Sequence, residues 1–215
     1  MGLLRGPTGA RAGAVRARAG RPGSAAVGEE ETDDVLMGRV AAGHADAACR
    51  QLVDRHLHPV VQLAARILGD AAEAEDVAQE TFVRLWAHAG RWRPNEARLS
   101  TWLHRVALNL CYDRRARRRE VAADDAGESA DPGADLADHM EGRDLSRHVR
   151  AEIMRLPESQ RTAIALCHYQ GMSNSEAAEI MNVTVEALES LLSRARRTLR
   201  DRLRSRAAEL LGIAT

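Results

Sequence analysis

The chain has 215 residues, of which 45% are hydrophobic, and equal numbers of basic and acidic residues give a formal net charge of zero. This length allows one or two domains with modest cores, and no apolar run approaches the roughly 20 residues that span a membrane. All basic residues other than histidine are arginine, so a phosphate-loop lysine and a Schiff-base lysine are both excluded.

Charge is strongly segregated along the chain. Residues 91–119 carry nine arginines against two acids, whereas residues 120–144 carry nine acids against Arg143. Residues 194–206 carry seven arginines against Asp201. Such blocks are typical of interaction surfaces and linkers, although a solvated helix face is the simpler alternative for each basic one.

The N-terminal segment is predicted to be a disordered basic tail over residues 1–32. Its first 28 residues are mostly Gly, Ala, Arg and Pro, with five arginines and no acid. It lacks the apolar centre of a signal peptide.

Helical periodicity dominates from residue 33 onward, and strand signals are scarce, so an all-α fold is predicted. We expect the second helix to bend at Pro59 and to end at Gly69, the third to stop at Gly90, and Ser100 to cap the fourth. The four predicted helices are Asp33–Ala42, Asp46–Leu68, Glu73–Ala89 and Ser100 to about Arg118.

Residues 120–143 are acidic and rich in Gly, Asp and Ala, which predicts a flexible linker. A second helical unit is expected over residues 144–211. The predicted organisation is therefore two small helical domains, 33–119 and 144–211, joined by an acidic tether.

The second unit contains a predicted helix-turn-helix between Leu156 and Arg206. Pro157 suits the first turn of a helix and Gly171 closes it, while Ser173 and Glu176 have the spacing of a capping box for the next helix. Thr184 is placed to cap a long helix from Val185 onward. In a helix-turn-helix the second helix enters the DNA major groove, and the arginines behind it suit phosphate contacts.

In the first unit, the fourth helix begins with packing residues and ends almost wholly cationic. The helix dipole favours one or two cations there, but not five arginines in six residues. Asn109 and Tyr112 precede this cluster, where an amide and an aromatic ring suit contacts to bases. In the third helix, Phe82 belongs to a core-facing stripe.

These motifs together resemble the extracytoplasmic-function group of the sigma-70 family of RNA polymerase sigma factors. The resemblance rests on DAAEAEDVAQETFVRLW from Asp70, STWLHRVALNLCYDRR from Ser100, LPESQRTAIAL from Leu156, and the helix-turn-helix that ends in SRAR. It covers roughly residues 33–206, with four motifs in the family's order.

The resemblance implies roles that composition does not show. Region two would bind the polymerase core through Asp76, Gln79, Glu80 and Phe82. Its next helix would open and recognise the −10 element through Arg105, Asn109, Tyr112, Asp113, Arg115 and Arg118, with Trp102 at or behind the promoter strand. Region four would recognise the −35 element through Thr184, Glu186, Glu189, Ser190, Ser193, Arg194 and Arg197. The family also implies a cytoplasmic protein, held by an anti-sigma factor and active on double-stranded and melted promoter DNA.

The recognition helix departs from the family pattern at two positions. Glu189 and Leu191 stand where many members carry basic residues. Glutamate can accept from a cytosine amino group, but it repels phosphate. The −35 sequence that this helix prefers is therefore left open.

Two other functional classes compete with this interpretation. A helix-turn-helix regulator that acts without polymerase would use residues 33–119 as a sensor, which has no need of a basic strand-contacting helix. An enzyme has little support, because His56 and His58 lie on different helix faces and no nucleophile–base pair is visible. Cys49, Cys111 and Cys167 match neither a disulfide framework nor a zinc site, which indicates free thiols in a reducing cytosol. We expect no catalytic residue, no metal and no cofactor.

Overall fold

Helices make up most of the chain that the structure describes. The computed structural model describes residues 31–124 and 143–210, and within these ranges it contains no strand. The helices are α1 (Asp33–Ala41), α2 (Ala45–Leu68), α3 (Ala71–His88), α4 (Leu99–Asp124), α5 (Arg143–Met154), α6 (Glu158–Ile164), α7 (Asn174–Met181) and α8 (Val185–Leu210). The all-α prediction is confirmed, while most of the predicted tail and residues 125–142 of the predicted linker lie outside the described residues.

Helices α1–α4 form the first group, in which α2 packs against α1, α3 and α4. The helix starts are fixed locally: the Asp70 carboxylate accepts a hydrogen bond from the Glu73 amide at 3.0 Å, and Gly69 ends α2 with a left-handed φ of 79°. Fully buried apolar side chains fill the centre of this group, among them Leu36, Leu52, Leu63, Leu85 and Leu103. Helix α2 continues through Pro59 to Leu68.

The predicted limits of the fourth helix were wrong at both ends. Helix α4 starts at Leu99, so Ser100 lies within its first turn and the Ser100 carbonyl accepts from His104 Nδ1 at 2.6 Å. The helix also continues to Asp124, past the predicted end near Arg118. Residues 120–124 contain no glycine or proline, so they extend the helix despite their acidic composition.

Helices α5–α8 form the second group, joined by a π-helical turn over Ala165–Tyr169. Pro157 is the N-cap of α6 rather than a residue of its first turn. The predicted capping box is confirmed, because Ser173 and Glu176 bond reciprocally at the start of α7. Thr184 caps α8 by accepting from the Ala187 amide at 3.2 Å. Between them, Asn182 supplies the left-handed turn residue, with φ 53°.

The described residues form one compact unit in which the two groups touch. Helix α4 packs against α7, and α2 packs against α6 and the π-helical turn. No local sequence pattern indicates this contact, which decides how the surfaces described below are exposed.

Candidate nucleic-acid interface

Helix α4 carries the six residues expected to contact the −10 element. It packs on the first group through buried Leu103, Ala107 and Leu110, which leaves the opposite face for polar side chains. Arg105, Asn109, Asp113 and Arg118 are exposed, whereas Tyr112 and Arg115 are half-buried. Four of the six lie on the side of α4 that faces away from the first group, whereas Arg115 and Arg118 also reach helices of that group.

Arg118 is anchored within the first group. Its Nη2 atom lies 2.5 Å from Glu73 Oε1 and 3.7 Å from Asp70 Oδ2, at the start of α3. The Arg118 side chain is still half exposed. It therefore holds α4 against α3 and keeps an open edge toward solvent.

Arg115 is also partly structural. Its Nη1 donates to the Ile67 carbonyl at 3.1 Å, close to the end of α2. Burial lowers the pKa of the Arg115 guanidinium, and the neighbouring Glu158 carboxylate opposes that effect. Arginine nevertheless stays charged at any physiological pH.

The aromatic rings near α4 are all engaged within the protein. Trp92 donates from its indole nitrogen to Asp34 at 2.8 Å, which ties the segment before α4 to α1. Trp102 is half-buried and stacks on His88, with ring centroids 5.2 Å apart. The Tyr112 hydroxyl donates to Thr162 of α6 at 3.0 Å. Base stacking on Tyr112 would require that last contact to open.

The helix-turn-helix presents a continuous polar surface at the start of α8. All seven residues expected to contact the −35 element are exposed. Buried Leu188, Leu192 and Ala195 hold the other side of α8 in the core of the second group. A backbone hydrogen bond and one with Thr184 lower the pKa of Glu186, so this carboxylate stays charged in the first turn of α8.

The two departures from the family pattern have different structural meanings. Leu191 is half-buried and packs on the core, so it does not belong to the exposed face. Glu189 is exposed and accepts from the Asn174 side-chain amide of α7 at 3.2 Å. Only Glu189 therefore changes the charge of the surface that is predicted to meet DNA.

Helix α3 carries the residues expected to bind polymerase. Asp76 and Gln79 are exposed, and Glu80 pairs with Arg84 at 2.9 Å. Phe82 is 6% exposed and packs near Trp86, so it supports this face from beneath. Val83, which was not among the predicted site residues, is 59% exposed on the same face. Its i+7 spacing from Asp76 was the signal that it belongs there.

Nucleophilic and metal-binding chemistry finds little support in the described residues. No group of three or more His, Cys, Asp or Glu residues in 31–124 and 143–210 is arranged to hold a metal ion. Burial raises the pKa of the Cys111 thiol to about 12 and lowers the pKa of His104. Among the described helices, none has the length and apolarity to cross a bilayer.

Family profiles match both helix groups. The profile described as Sigma-70 region 2 matches residues 52–121, and the one described as Sigma-70, region 4 matches residues 146–199. The ECF RNA polymerase sigma factor SigW of Bacillus subtilis (strain 168) is 32% identical, covering 77% of this chain and 94% of the relative. The RNA polymerase sigma-H factor of Pseudomonas aeruginosa is 33% identical, covering 79% and 93%.

Two solved structures share the fold over most of the chain. CnrH, in complex with the cytosolic domain of CnrY, matches with a TM-score of 0.60 and 28% identity, covering 81% of this chain and 99% of CnrH. The sigma factor RpoE of Bartonella quintana, in complex with the anti-sigma factor NepR, matches with a TM-score of 0.64 and 25% identity. That match covers 72% of this chain and 96% of RpoE.

Proposed function

This chain belongs to the extracytoplasmic-function group of the sigma-70 family of RNA polymerase sigma factors, and we propose how its surfaces divide the work of transcription initiation. As a sigma factor it binds the polymerase core and promoter DNA. One observation carries the division of labour: each profile match falls on a different helix group, and each group carries its own arginine-rich helix.

We propose that the exposed face of α3 binds the polymerase core. Asp76, Gln79 and Glu80 supply polar contacts on one side of the helix, and Val83 supplies an exposed apolar one. Protein interfaces favour such an apolar centre inside a polar rim. Phe82 contributes by packing α3 against the hydrophobic interior of the first group.

The −10 element is assigned to α4 and the −35 element to α8. On α4, Asn109 and Tyr112 are the candidates for base contacts, because amides and aromatic rings recognise bases, while Arg105, Arg115 and Arg118 serve the phosphates. On α8, Ser190, Ser193, Arg194 and Arg197 face the groove beside Thr184 and the acidic Glu186 and Glu189. Asp113 follows Tyr112 and precedes Arg115 on α4, and its carboxylate would repel a phosphate that came close to it.

An anti-sigma factor is the proposed regulator, in the cytoplasm where polymerase and promoter are found. Support comes from CnrH and RpoE, whose structures were solved with the cytosolic domain of CnrY and with NepR respectively. We further propose that the chain acts by binding alone and has no catalytic residue.

The test is run-off transcription with core polymerase over a genomic fragment library, preceded by co-elution of the chain and core on gel filtration. Promoter-specific transcripts are expected only when both are present. Asn109→Ala should relax the −10 preference, whereas Arg118→Ala should weaken use of every promoter. Arg117→Ala removes an exposed neighbouring arginine and serves as the control for Arg118. Operator binding by the chain without co-elution with core would favour a polymerase-independent regulator instead.

A further inference from the structure

The second helix group covers the side of α4 that would meet the promoter strand. Glu158, the first residue of α6, lies between two arginines one helical turn apart. Its Oε1 is 3.2 Å from Arg115 Nε, and its Oε2 pairs with Arg119 Nη2. Beside it, Thr162 accepts the hydrogen bond from Tyr112. A carboxylate thus occupies a place where two guanidiniums would otherwise hold a phosphate.

The contact between Arg115 and Glu158 is more buried than the neighbouring ion pairs. The side chains of Arg115 and Glu158 are 26% and 25% exposed, so their attraction is less screened by water. Farther out, Arg98 pairs with Glu176 at 2.6 Å, but the arginine side chain is 78% exposed. Exposed pairs of that kind contribute little, and among the ion pairs described between the two groups the Arg115–Glu158 pair is the least exposed.

Arg105 contacts the helix-turn-helix itself, although its side chain stays 45% exposed. Its Nη2 donates to the Glu179 backbone carbonyl at 2.6 Å and lies 3.7 Å from the Glu179 carboxylate. Glu179 belongs to α7, the first helix of the helix-turn-helix. Three of the six residues assigned to the −10 element, Arg105, Tyr112 and Arg115, therefore contact the second group.

A second set of contacts joins the two helix groups on the side of α2. Met154 of α5 lies so close to Gly69 that a Cβ on that glycine would be 2.6 Å from the methionine methyl carbon. The Gln170 amide donates to the Pro59 carbonyl at 3.0 Å. The Arg66 guanidinium lies over the Tyr169 ring, 4.1 Å from its centroid. Apolar, hydrogen-bonding and cation–π contacts thus hold the two groups together in addition to the ion pairs of Glu158.

This closed arrangement cannot engage both promoter elements. The −10 and −35 elements are about 25 base pairs apart by their own numbering, which is about 85 Å along B-DNA at 3.4 Å per base pair. Here α4 and α7 are in direct contact. The 18 residues between Asp124 and Arg143 have a contour length of about 65 Å at 3.3–3.6 Å per residue, enough to let the groups move well apart.

We propose that the free chain inhibits itself, with α6 and α7 closed over the −10 face of α4 and the Glu158 carboxylate taking the place of a promoter phosphate. The inference rests on the proposed role of α4 in −10 recognition. Promoter strand and Glu158 compete for Arg115, so DNA binds only the fraction of molecules that has opened, and its apparent affinity is reduced by that fraction.

The test compares Glu158→Gln with a control carrying the same charge change inside the second group. Glu152 is the control residue, because its carboxylate pairs with Arg155 and Arg202, which both belong to the second group. Small-angle scattering of the free full-length chain reports opening, and fluorescence anisotropy with a 20-residue oligothymidine reports access to α4. Thr162→Val, which removes only the hydroxyl that meets Tyr112, is a second variant, and circular dichroism checks folding.

We expect Glu158→Gln to enlarge the radius of gyration and to tighten oligothymidine binding about threefold or more, with Thr162→Val shifting both in the same direction. Glu152→Gln should match the wild type. Equal behaviour of the Glu158 and Glu152 variants would overturn the proposal. So would an unchanged radius of gyration and unchanged oligothymidine affinity in both Glu158→Gln and Thr162→Val. Failure of the chain to co-elute with core polymerase would instead contradict the proposed function. It would not bear on whether the free chain is closed.

Discussion

The side-chain amide of Asn174, the first residue of α7, donates to the carboxylate of Glu189 on the exposed face of α8, across 3.2 Å. The two helices of the helix-turn-helix are thereby linked at the surface expected to meet the −35 element. Glu189 places a negative charge where the family often has a positive one. Its contact with Asn174 shows that the residue has an intramolecular partner in addition to any base that it meets.

We predict that Glu189→Gln strengthens non-specific binding to duplex DNA about twofold to tenfold at low salt. The amide oxygen can still accept from Asn174, while repulsion of phosphate is lost. Fluorescence anisotropy with a random 30-base-pair duplex at several salt concentrations measures the effect. Glu75→Gln, an exposed position on α3, is the control for the charge change. A similar gain for both variants would show that only net charge matters.

Local chemistry made some of these features predictable and not others. The capping box of Ser173 and Glu176 and the cap at Thr184 follow from side chains three residues apart, so spacing alone identified them. The end of α4 did not follow, because the charge of residues 120–124 suggested a linker while their helix propensity extended the helix. The Tyr112–Thr162 contact joins residues 50 positions apart, and no local pattern encodes such a pair.

Candidate site residues show the same division. The amphipathic spacing on α3 correctly separated buried Phe82 from exposed Asp76 and Gln79. The sequence placed the predicted −10 residues on one helix, but could not reveal that α6 and α7 cover part of its surface or that Arg118 turns toward α3. Glu158 was therefore missed, since a single glutamate after Pro157 has the ordinary appearance of a first-turn acid.

We predict that Val83→Asp weakens binding of the polymerase core about tenfold or more. A charge in the apolar centre of an interface is desolvated without a partner, and a few residues near the centre of an interface carry most of the binding energy. Gel-filtration co-elution and fluorescence titration with core polymerase measure the loss. Val121→Asp alters a valine that is equally exposed, at 62%, but lies near the end of α4. Equal losses for both variants would count against α3 as the docking face.

Ser173→Ala should lower the free energy of unfolding by about 0.5–2 kcal/mol, because the cap of α7 loses the two hydrogen bonds that the Ser173 hydroxyl makes with the Glu176 amide and carboxylate. The hydroxyl of Ser173, and then its backbone amide, lower the pKa of Glu176. This carboxylate therefore stabilises the fold above the pKa that it has in the unfolded chain, and the contribution is lost as pH falls through the folded value. Urea unfolding at pH 7 and at pH 3 should show a smaller effect in acid. Ser175→Ala, an exposed position two residues onward, should change little.

Cys111 should resist alkylation in the native protein. Burial raises its pKa to about 12, whereas Cys49 and Cys167 are only half-buried, although burial raises their pKa values as well. Because the thiolate is the reactive form, we expect iodoacetamide at pH 8 to modify Cys111 at least about a hundredfold more slowly than the other two. Peptide mass mapping follows each site, and the three rates should converge in 8 M urea. Fast modification of Cys111 in the folded chain would show that this part of the core opens readily.

Arg161 tests how a buried charge is tolerated in the second group. Its side chain is 1% exposed, and its Nη1 donates to the Met154 carbonyl at 3.0 Å. Burial, followed by the nearby Arg115, lowers the pKa of Arg161 to about 10, so the charged form is less favoured in the folded chain than in water. Replacing such a group with an apolar side chain of similar length removes a desolvated charge and keeps the volume filled.

We therefore predict that Arg161→Met leaves the free energy of unfolding within about 1 kcal/mol of the wild type, whereas Arg161→Ala, which opens a cavity, lowers it by about 2–4 kcal/mol. The lowered pKa means that the charged guanidinium of Arg161 destabilises the folded chain at neutral pH. This destabilisation decreases as pH rises through 10. Any advantage of Arg161→Met should therefore shrink above pH 10. Urea unfolding at pH 7 and pH 10.5 measures both effects. A loss for Arg161→Met as large as that for Arg161→Ala would mean that the hydrogen bond to Met154, rather than the filled volume, stabilises this part of the fold.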